Sequence, residues 1–350
     1  MFTSFKRAAS AAACSGMALR SSAAVAQQKV EAPLEFNYGI PNANHASVFV
    51  AQDLGLFEKV GLKPKFFVFQ SGAPLLAGLK SESLDVVTAG LALALALGQN
   101  IPLKFIFWEA NSAVSEGLVV DPKSGVKSYR DLAKARKIAA ATGTCAQVSL
   151  YMMAKKVGME YSKLDVVNIP APLFRNSFMS NSIDAGVAWP PFSLQLQSEG
   201  YPVVSFDGEY TPPGGLCPGL TAARPAYLKQ HPEIGLKLVQ VEAMAREAIA
   251  KNPQIAVDAY IKRQHLAPDV AKAVVERECC DRGIPSFAQQ LDPKSPYSMT
   301  TKEGGLAEKL YVAIEALHAM KAIPDTIPLA VIQEAVDPTY LREYLKTVGK

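Results

Sequence analysis

The chain has 350 residues, of which 49% are hydrophobic and 19% charged, with a formal net charge of +4 at pH 7. This length and composition provide enough residues for two domains and a large buried core, and they argue against an intrinsically disordered chain. The near-neutral charge gives no broad basic surface, so we expect no nucleic acid as a partner.

The first 26 residues predict a signal peptide. Lys6 and Arg7 precede a run of small apolar residues, and Ala-Val-Ala stands just before Gln27, which is typical of a secretory leader. Arg20 and the lack of acidic residues leave a mitochondrial-type presequence as the alternative. Cleavage after Ala26 would lower the net charge from +4 to +1 and place the mature protein in the periplasm.

From residue 34 the sequence alternates short apolar strands with helices. Strands are predicted at residues 34–40, 62–70, 85–90, 103–108 and 116–121, and helices at residues 46–61, 73–84 and 91–100. This alternation is the pattern of an α/β fold with a parallel-type sheet. No apolar run reaches the roughly 18 residues that a membrane-spanning helix needs, so we expect no membrane span in the mature chain.

A second α/β run begins near residue 128, and the last part of the chain is mainly helical. Strands are predicted at residues 136–140, 164–169, 182–191 and 202–206, with a helix after residue 145. The tail has helical patterns at residues 233–251, 253–264, 304–322 and 338–348. Such a helical tail must bury its apolar faces, and we expect it to pack against the first α/β unit. That unit would then be formed by two separate segments of the chain.

Four cysteines lie outside the leader: Cys145, Cys217, Cys279 and Cys280. They form no C-x-x-C pair, and no histidine stands at metal-like spacing, so the sequence predicts no metal site and no cofactor. A disulfide from Cys217 to Cys279 or Cys280 and four separate thiols both remain open, because spacing alone cannot place the sulfur atoms.

The turn Thr142-Gly143-Thr144 lies between a predicted strand and a predicted helix that starts near Cys145. The unpaired N–H groups and the positive end of the helix dipole favour an anion there. Gly143 would let the backbone come close to a ligand. An ordinary N-cap turn is the alternative, since threonine caps helices without any ligand.

The order of motifs resembles a known family. An apolar helix ends in AQDLGLFEKVGL at residues 51–62, the segment LKSESLDV follows at residues 79–86, and ATGTC and AWPP follow at residues 141–145 and 188–191. Together they resemble the periplasmic substrate-binding proteins of ABC importers for taurine, aliphatic sulfonates and nitrate. Ser83 departs mildly from the family's pattern, and the resemblance covers nearly all of the mature chain.

The resemblance implies an α/β, two-lobed periplasmic-binding-protein fold, type II-like, with a helix-rich C-terminal part. Lobe I would comprise residues 30–115 and 222–350, and lobe II residues 116–221, with the ligand in the cleft between them. It also implies a monomeric, non-enzymatic protein that captures a small organic anion, with a sulfonate favoured. The permease subunits of an ABC importer would then be its partners.

Ligands of open α/β sheets bind beyond the carboxyl ends of the strands. The candidate ligand-binding residues in the loops there are Tyr38, Asn42, Asn44, His45, Ser71, Gly72, Gly90, Thr142, Gly143, Thr144, Cys145, Trp189 and Pro190. Trp189 would close over the carbon skeleton of the ligand, or over a cation if the ligand carries an amine. A core tryptophan is the alternative for that residue.

Two alternatives on the same fold stay open. Cys145, at a helix N-terminus that stabilises a thiolate, would be the nucleophile of a Cys-dependent hydrolase or a desulfinase-like enzyme. The desulfinase relative carries its cysteine in the loop after the first strand, where residues 38–46 contain none. The other alternative binds a thiamine-pyrimidine precursor and has a Cys-rich cluster, which Cys279-Cys280 is too short to match.

Overall fold

The computed structural model describes residues 32–349, except Asn44, Ser71, Ser115 and residues 279–282. The predicted signal peptide, residues 1–26, lies outside these residues. None of the described helices is long and apolar enough to cross a membrane.

The first sheet has five strands in the order β2-β1-β3-β10-β4. They are β1 (Leu34–Pro41), β2 (Leu62–Phe69), β3 (Val86–Ala89), β4 (Lys104–Asn111) and β10 (Pro218–Ala223). β1 pairs in parallel with β2 and β3, whereas β10 runs antiparallel to β3 and β4. The sheet is therefore mixed, and not purely parallel as the alternation of elements predicted, because β10 returns from the second half of the chain.

The second sheet also has five strands, in the order β7-β6-β8-β5-β9. They are β5 (Gly117–Val120), β6 (Ile138–Ala139), β7 (Val166–Val167), β8 (Ala185–Ala188) and β9 (Val203–Phe206). β6 is parallel to β7 and β8, and β5 is antiparallel to β8 and β9. Each sheet with its helices forms one lobe.

The chain passes between the lobes twice, before β5 and before β10. The second passage ends earlier than predicted, because Pro218 already pairs with Asn111 of β4 in the first sheet. The predicted end of lobe II at residue 221 therefore falls inside a strand of lobe I.

Short helices connect the strands of both lobes. Lobe I has α1 (Ala46–Asp53), α2 (Leu56–Lys59), α3 (Gly72–Lys80) and α4 (Ala92–Gly98), and lobe II has α5 (Cys145–Lys156), α6 (Phe174–Met179) and α7 (Phe192–Ser198). The single helix predicted at residues 46–61 is broken into α1 and α2. The break occurs at Gly55, whose φ of 61° lies in the left-handed region that favours glycine.

The C-terminal part is helical, as its periodicity predicted. It contains α8 (Pro225–Gln230), α9 (Ile234–Lys251), α10 (Gln254–Gln264), α11 (Pro268–Glu278), α12 (Phe287–Leu291), α13 (Leu306–Ala319), α14 (Leu329–Ala335) and α15 (Thr339–Val348). The helical patterns in the sequence did not include α8, α11, α12 or α14. Of these, α8, α12 and α14 are only 6, 5 and 7 residues long, which is too short for a periodic pattern to be recognised.

The tail packs against lobe I and covers its exposed strand edge. Phe49 of α1 and Tyr260 of α10 meet edge to face, with ring centroids 5.7 Å apart. Strand β4 is the edge of the first sheet, and the side chain of Gln290 bonds to its free side at Trp108. An edge strand covered in this way cannot pair with another chain.

Candidate functional site

A cavity of about 340 Å³ lies where the two lobes meet. Lobe I contributes the ends of β1 and β3 and the first residues of α3 and α4, and lobe II contributes the first residue of α5 and Trp189. Two passages between the lobes add Glu116 and Cys217, and Ile323 of the tail closes one side. The cavity thus sits beyond the carboxyl ends of strands, where ligands of open α/β sheets bind.

The cavity brings together residues that are far apart in the sequence. Among the residues predicted to bind ligand, those that line it are His45, Gly72, Gly90, Thr142, Gly143, Thr144, Cys145 and Trp189. Asn44 and Ser71 lie outside the described residues.

Tyr38 does not reach the cavity, contrary to the prediction. Its side chain is buried in the core of lobe I, where its hydroxyl lies 2.6 Å from Thr88 Oγ1 and its ring stacks on Phe66. Burial raises the pKa of that hydroxyl. The prediction was wrong because Tyr38 lies inside β1, as the strand predicted at residues 34–40 already implied, and its side chain is buried in the core.

Asn42 and Pro190 are also absent from the cavity wall. Asn42 Oδ1 accepts a hydrogen bond of 3.1 Å from Gln264 Nε2, which ties the loop after β1 to α10. Pro190 is buried. These two residues therefore support the neighbouring segments and do not face the cavity.

The turn before α5 is largely occupied by bonds within the protein. Its three bonds run from Thr142 N to Asn168 Oδ1 (2.9 Å), from Gly143 N to Gln147 Oε1 (2.8 Å) and from Thr144 Oγ1 to Ala141 O (2.7 Å). The hydroxyl hydrogen of Thr144 and two N–H groups are thus not available to an anion. In the first turn of α5 the N–H of Gln147 donates to Thr144 O at 3.1 Å, so the N–H groups of Cys145 and Ala146 are the candidate anion-binding element.

His45 and Glu109 form a buried pair in the wall contributed by lobe I. His45 Nδ1 lies 3.0 Å from Glu109 Oε2, and the hydroxyl of Ser47 donates to Glu109 Oε1 at 3.2 Å. His45 Nε2 is buried with no hydrogen-bond partner among the described residues. The carboxylate therefore orients the imidazole and leaves Nε2 for a ligand.

Glu109 was missed by the sequence analysis. It lies within β4, between Trp108 and Ala110, and is only 2% exposed. An acid directly after the apolar run of residues 105–108 was the only available signal, and periodicity cannot tell a ligand contact from a buried structural acid.

More acids lie buried where the chain passes between the lobes. The hydroxyl of Ser149 donates to Glu116 Oε1 at 3.3 Å and to Asp207 Oδ1 at 3.0 Å. Burial raises the pKa of Glu116 well above its ordinary value and raises the pKa of Asp207 to about 6. Both carboxyl groups therefore hold their protons more strongly than exposed carboxyl groups do.

The thiols of Cys145 and Cys217 lie beside Glu116. Their sulfur atoms lie within 4.8 Å of each other, and burial, more than any other factor, raises the pKa of Cys217 well above its ordinary value. Cys279 and Cys280, the candidate disulfide partners of Cys217 in the alternative that the sequence left open, lie outside the described residues. No sequence signal pointed to this cluster, because its members are far apart along the chain.

The remaining walls are apolar, and no lysine or arginine is among the described residues that line the cavity. Leu76, Leu91, Leu95 and Ile323 face it, together with the half-buried ring of Trp189. A ligand would therefore meet helix N-termini at one place, carboxyl groups at another, and an apolar surface between them.

Two lobes, each an α/β sheet with helices, and a cavity between them define the periplasmic-binding-protein fold. Solved structures agree: the alkanesulfonate-binding protein SsuA of Xanthomonas axonopodis pv. citri, bound to MOPS, is 18% identical with a TM-score of 0.71, over 88% of this chain and 99% of that one. The nitrate-binding protein NrtA of Synechocystis PCC 6803 is 15% identical with a TM-score of 0.72, over 91% and 90%.

The sequence profile of the NMT1/THI5-like family matches residues 42–256, and the chain belongs to that family. A Bacillus subtilis (strain 168) protein, provisionally named as an aliphatic sulfonates-binding protein, is 28% identical over 188 residues, 53% of this chain. That match spans 55% of the relative, so the chain covers little more than half of its length.

Proposed function

We propose that this chain is an extracytoplasmic solute-binding protein that captures a small organic sulfonate and delivers it to the permease subunits of an ABC importer. The main support for this proposal is the cavity between the lobes, whose wall includes the first residue of α5 and the apolar side chains of Leu76, Leu91, Leu95 and Ile323. The sulfonate would sit at the helix N-termini, and its carbon skeleton would lie along Leu95 and Trp189.

The acid Glu109 in the wall favours a ligand that also carries an amine. Its carboxyl group, paired with His45, would not be expected to attract a purely anionic compound. An ammonium group on the same carbon skeleton would compensate its charge. The preferred class is therefore an aminosulfonate of the taurine type, and MOPS, which is bound to the Xanthomonas relative, is itself an aminosulfonate.

Delivery to an importer is supported by the fold and by the family. The structural neighbours with TM-scores near 0.7 include binding proteins for sulfonates and nitrate. In this class, the ligand lies between lobes that close on it, and the closed form is the one that a permease would recognise. The proposed signal peptide and the periplasmic location follow from the same class.

The ligand class can be tested with a matched series of compounds. Taurine, ethanesulfonate, β-alanine and ethylamine differ in the acid group or the amine while keeping a two-carbon skeleton. We expect binding in the order taurine, ethanesulfonate, β-alanine, with no binding of ethylamine. Isothermal titration calorimetry would measure this, and a ligand at about 100 times its Kd would add roughly 2.7 kcal/mol to the free energy of unfolding.

A variant at Glu109 distinguishes the contribution of the ligand's amine from that of its sulfonate group. Glu109→Gln keeps the size of the side chain and removes its charge, so taurine should lose more affinity than ethanesulfonate. An equal loss of affinity for both compounds would show that the ammonium group does not contact Glu109. Binding confined to neutral or cationic compounds would overturn the sulfonate proposal as a whole.

The enzyme alternative makes a different prediction for the same ligands. An enzyme would consume the bound compound and lose that activity in a Cys145→Ser variant, whereas a binding protein would keep its full capacity over time. A reaction product detected by mass spectrometry would therefore support the enzyme alternative and contradict the proposed transport function.

A further inference from the structure

Three potential metal ligands meet at one side of the cavity. Glu116 comes from the first passage between the lobes, Cys145 is the first residue of α5, and Cys217 comes from the second passage. One carboxylate oxygen and the two sulfur atoms all lie within 4.8 Å of one another. Glu116 is 2% exposed and Cys217 is 3% exposed, so this is a buried cluster and not a chance meeting of surface groups.

The spacing of these atoms suits a tetrahedral ion. Zn–S bonds of about 2.3 Å and Zn–O bonds of about 2.0–2.2 Å place neighbouring ligand atoms roughly 3.5–3.8 Å apart. The ligand atoms of this cluster are separated by up to 4.8 Å, so small rotations of the three side chains would bring them to bonding distance from one ion. Two thiolates and one carboxylate are ligand types that zinc accepts.

The charges around the cluster favour a cation. The groups that act on Glu116 are the acids Asp207 and Cys145 and the hydroxyl of Ser149. Several groups that become anionic on losing a proton are thus gathered in one buried place, where a divalent cation would compensate their charge. The bond from Ser149 to Glu116 Oε1, at 3.3 Å, is the kind of outer contact that orients a metal-binding carboxylate.

We propose that Glu116, Cys145 and Cys217 bind a zinc-type divalent cation whose fourth coordination position faces the cavity between the lobes. All three residues line that cavity, so the fourth position is open to a water molecule or to a donor atom of a bound solute. Sites with three protein ligands and one exchangeable position have this arrangement.

This site departs from the expectation drawn from the sequence, which contained no metal-binding motif. Cys145 and Cys217 stand far apart along the chain, with no paired histidine. The cluster forms only because both passages between the lobes run past the start of α5.

Zinc alone is the probe for this site, without any organic ligand, so the result does not depend on the proposed transport function. The full chain, kept reduced with a phosphine, should bind one Zn²⁺ in calorimetry and release protons as the thiols ionise. Co²⁺ in the same site should give the thiolate-to-cobalt absorption of a tetrahedral complex. The variants Cys145→Ser, Cys217→Ser and Glu116→Gln should each weaken zinc binding by more than the 10–100-fold typical of outer contacts.

Matched controls distinguish the site from adventitious thiols. Cys279→Ser and Cys280→Ser should leave zinc affinity and the cobalt spectrum unchanged, and circular dichroism should show that every variant is folded. Zinc binding that survives in the Cys145→Ser/Cys217→Ser double variant would overturn the proposal. Absence of binding by the reduced wild-type chain would do the same, as would a Cys145–Cys217 disulfide that resists reduction.

Discussion

The replacement of Gln290 by leucine should destabilise lobe I strongly. Gln290 is fully buried in α12, and its amide makes three hydrogen bonds to backbone atoms. These bonds join Trp108 N to Gln290 Oε1 (2.8 Å), Gln290 Nε2 to Trp108 O (2.9 Å) and Gln290 Nε2 to Pro285 O (2.9 Å). One side chain thus holds the free edge of β4 against the C-terminal helices.

The size of the effect depends on which groups lose their partners. Both carbonyls keep a second donor, because Arg246 bonds to Trp108 O at 2.9 Å and to Pro285 O at 2.7 Å. The N–H of Trp108 loses its acceptor, and a buried donor left unsatisfied costs about 1–3 kcal/mol. With the two weaker losses added, Gln290→Leu should lower the free energy of unfolding by about 2–4 kcal/mol.

Urea unfolding followed by tryptophan fluorescence would measure the change, since Trp108 itself reports on this region. Gln197→Leu is the matched control: Gln197 is exposed on α7, so its replacement should stay within about 0.5 kcal/mol. Amide hydrogen exchange at Trp108 should accelerate only in Gln290→Leu. A loss below about 1 kcal/mol, with exchange unchanged, would refute the view that this amide secures the edge strand.

Three further predictions concern lobe II and the cavity. The hydrogen bond from Arg136 lowers the pKa of Asp184 below its ordinary value of 3.8, so the wild-type chain should lose stability as the pH falls below 3.8. The free energy of unfolding of Asp184→Asn should fall less over the same pH range. Gly186→Ala should lower the free energy of unfolding in urea by about 1–3 kcal/mol, because a Cβ at residue 186 would overlap the ring of Phe174. A bound sulfonate should change the fluorescence of the wild-type chain, and Trp189→Phe should abolish most of that change.

Each of these has its own control. Arg136→Met should raise the pKa of Asp184 in nuclear magnetic resonance titration, and an unchanged value would contradict the assigned cause. Adding Phe174→Leu to Gly186→Ala should recover part of the lost stability, and a purely additive cycle would exclude the clash. A Trp189→Phe chain that kept the whole fluorescence response to ligand would show that Trp189 does not contact it.

Local pattern was enough to predict most of the elements. Strands β1, β2 and β9 and helices α9, α10 and α13 lie where apolar residues recur at periods of 2 or 3.6, because that period follows from the backbone geometry of each element. The start of α5 at Cys145 was also readable, since the small polar residues before it mark a helix N-terminus. The class of fold followed from the order of these local signals.

The tertiary structure decided which of these residues share the cavity. Tyr38 was predicted to bind the ligand and Cys217 was not, yet Tyr38 is buried in the core and Cys217 lines the cavity. Glu109 and Glu116 carry no motif, and they line the cavity together with Cys217 because β10, which follows Cys217, inserts between β3 and β4. Periodicity acts over a few residues, whereas this site is built by contacts between segments up to a hundred residues apart or more, so only the folded chain determines its chemistry.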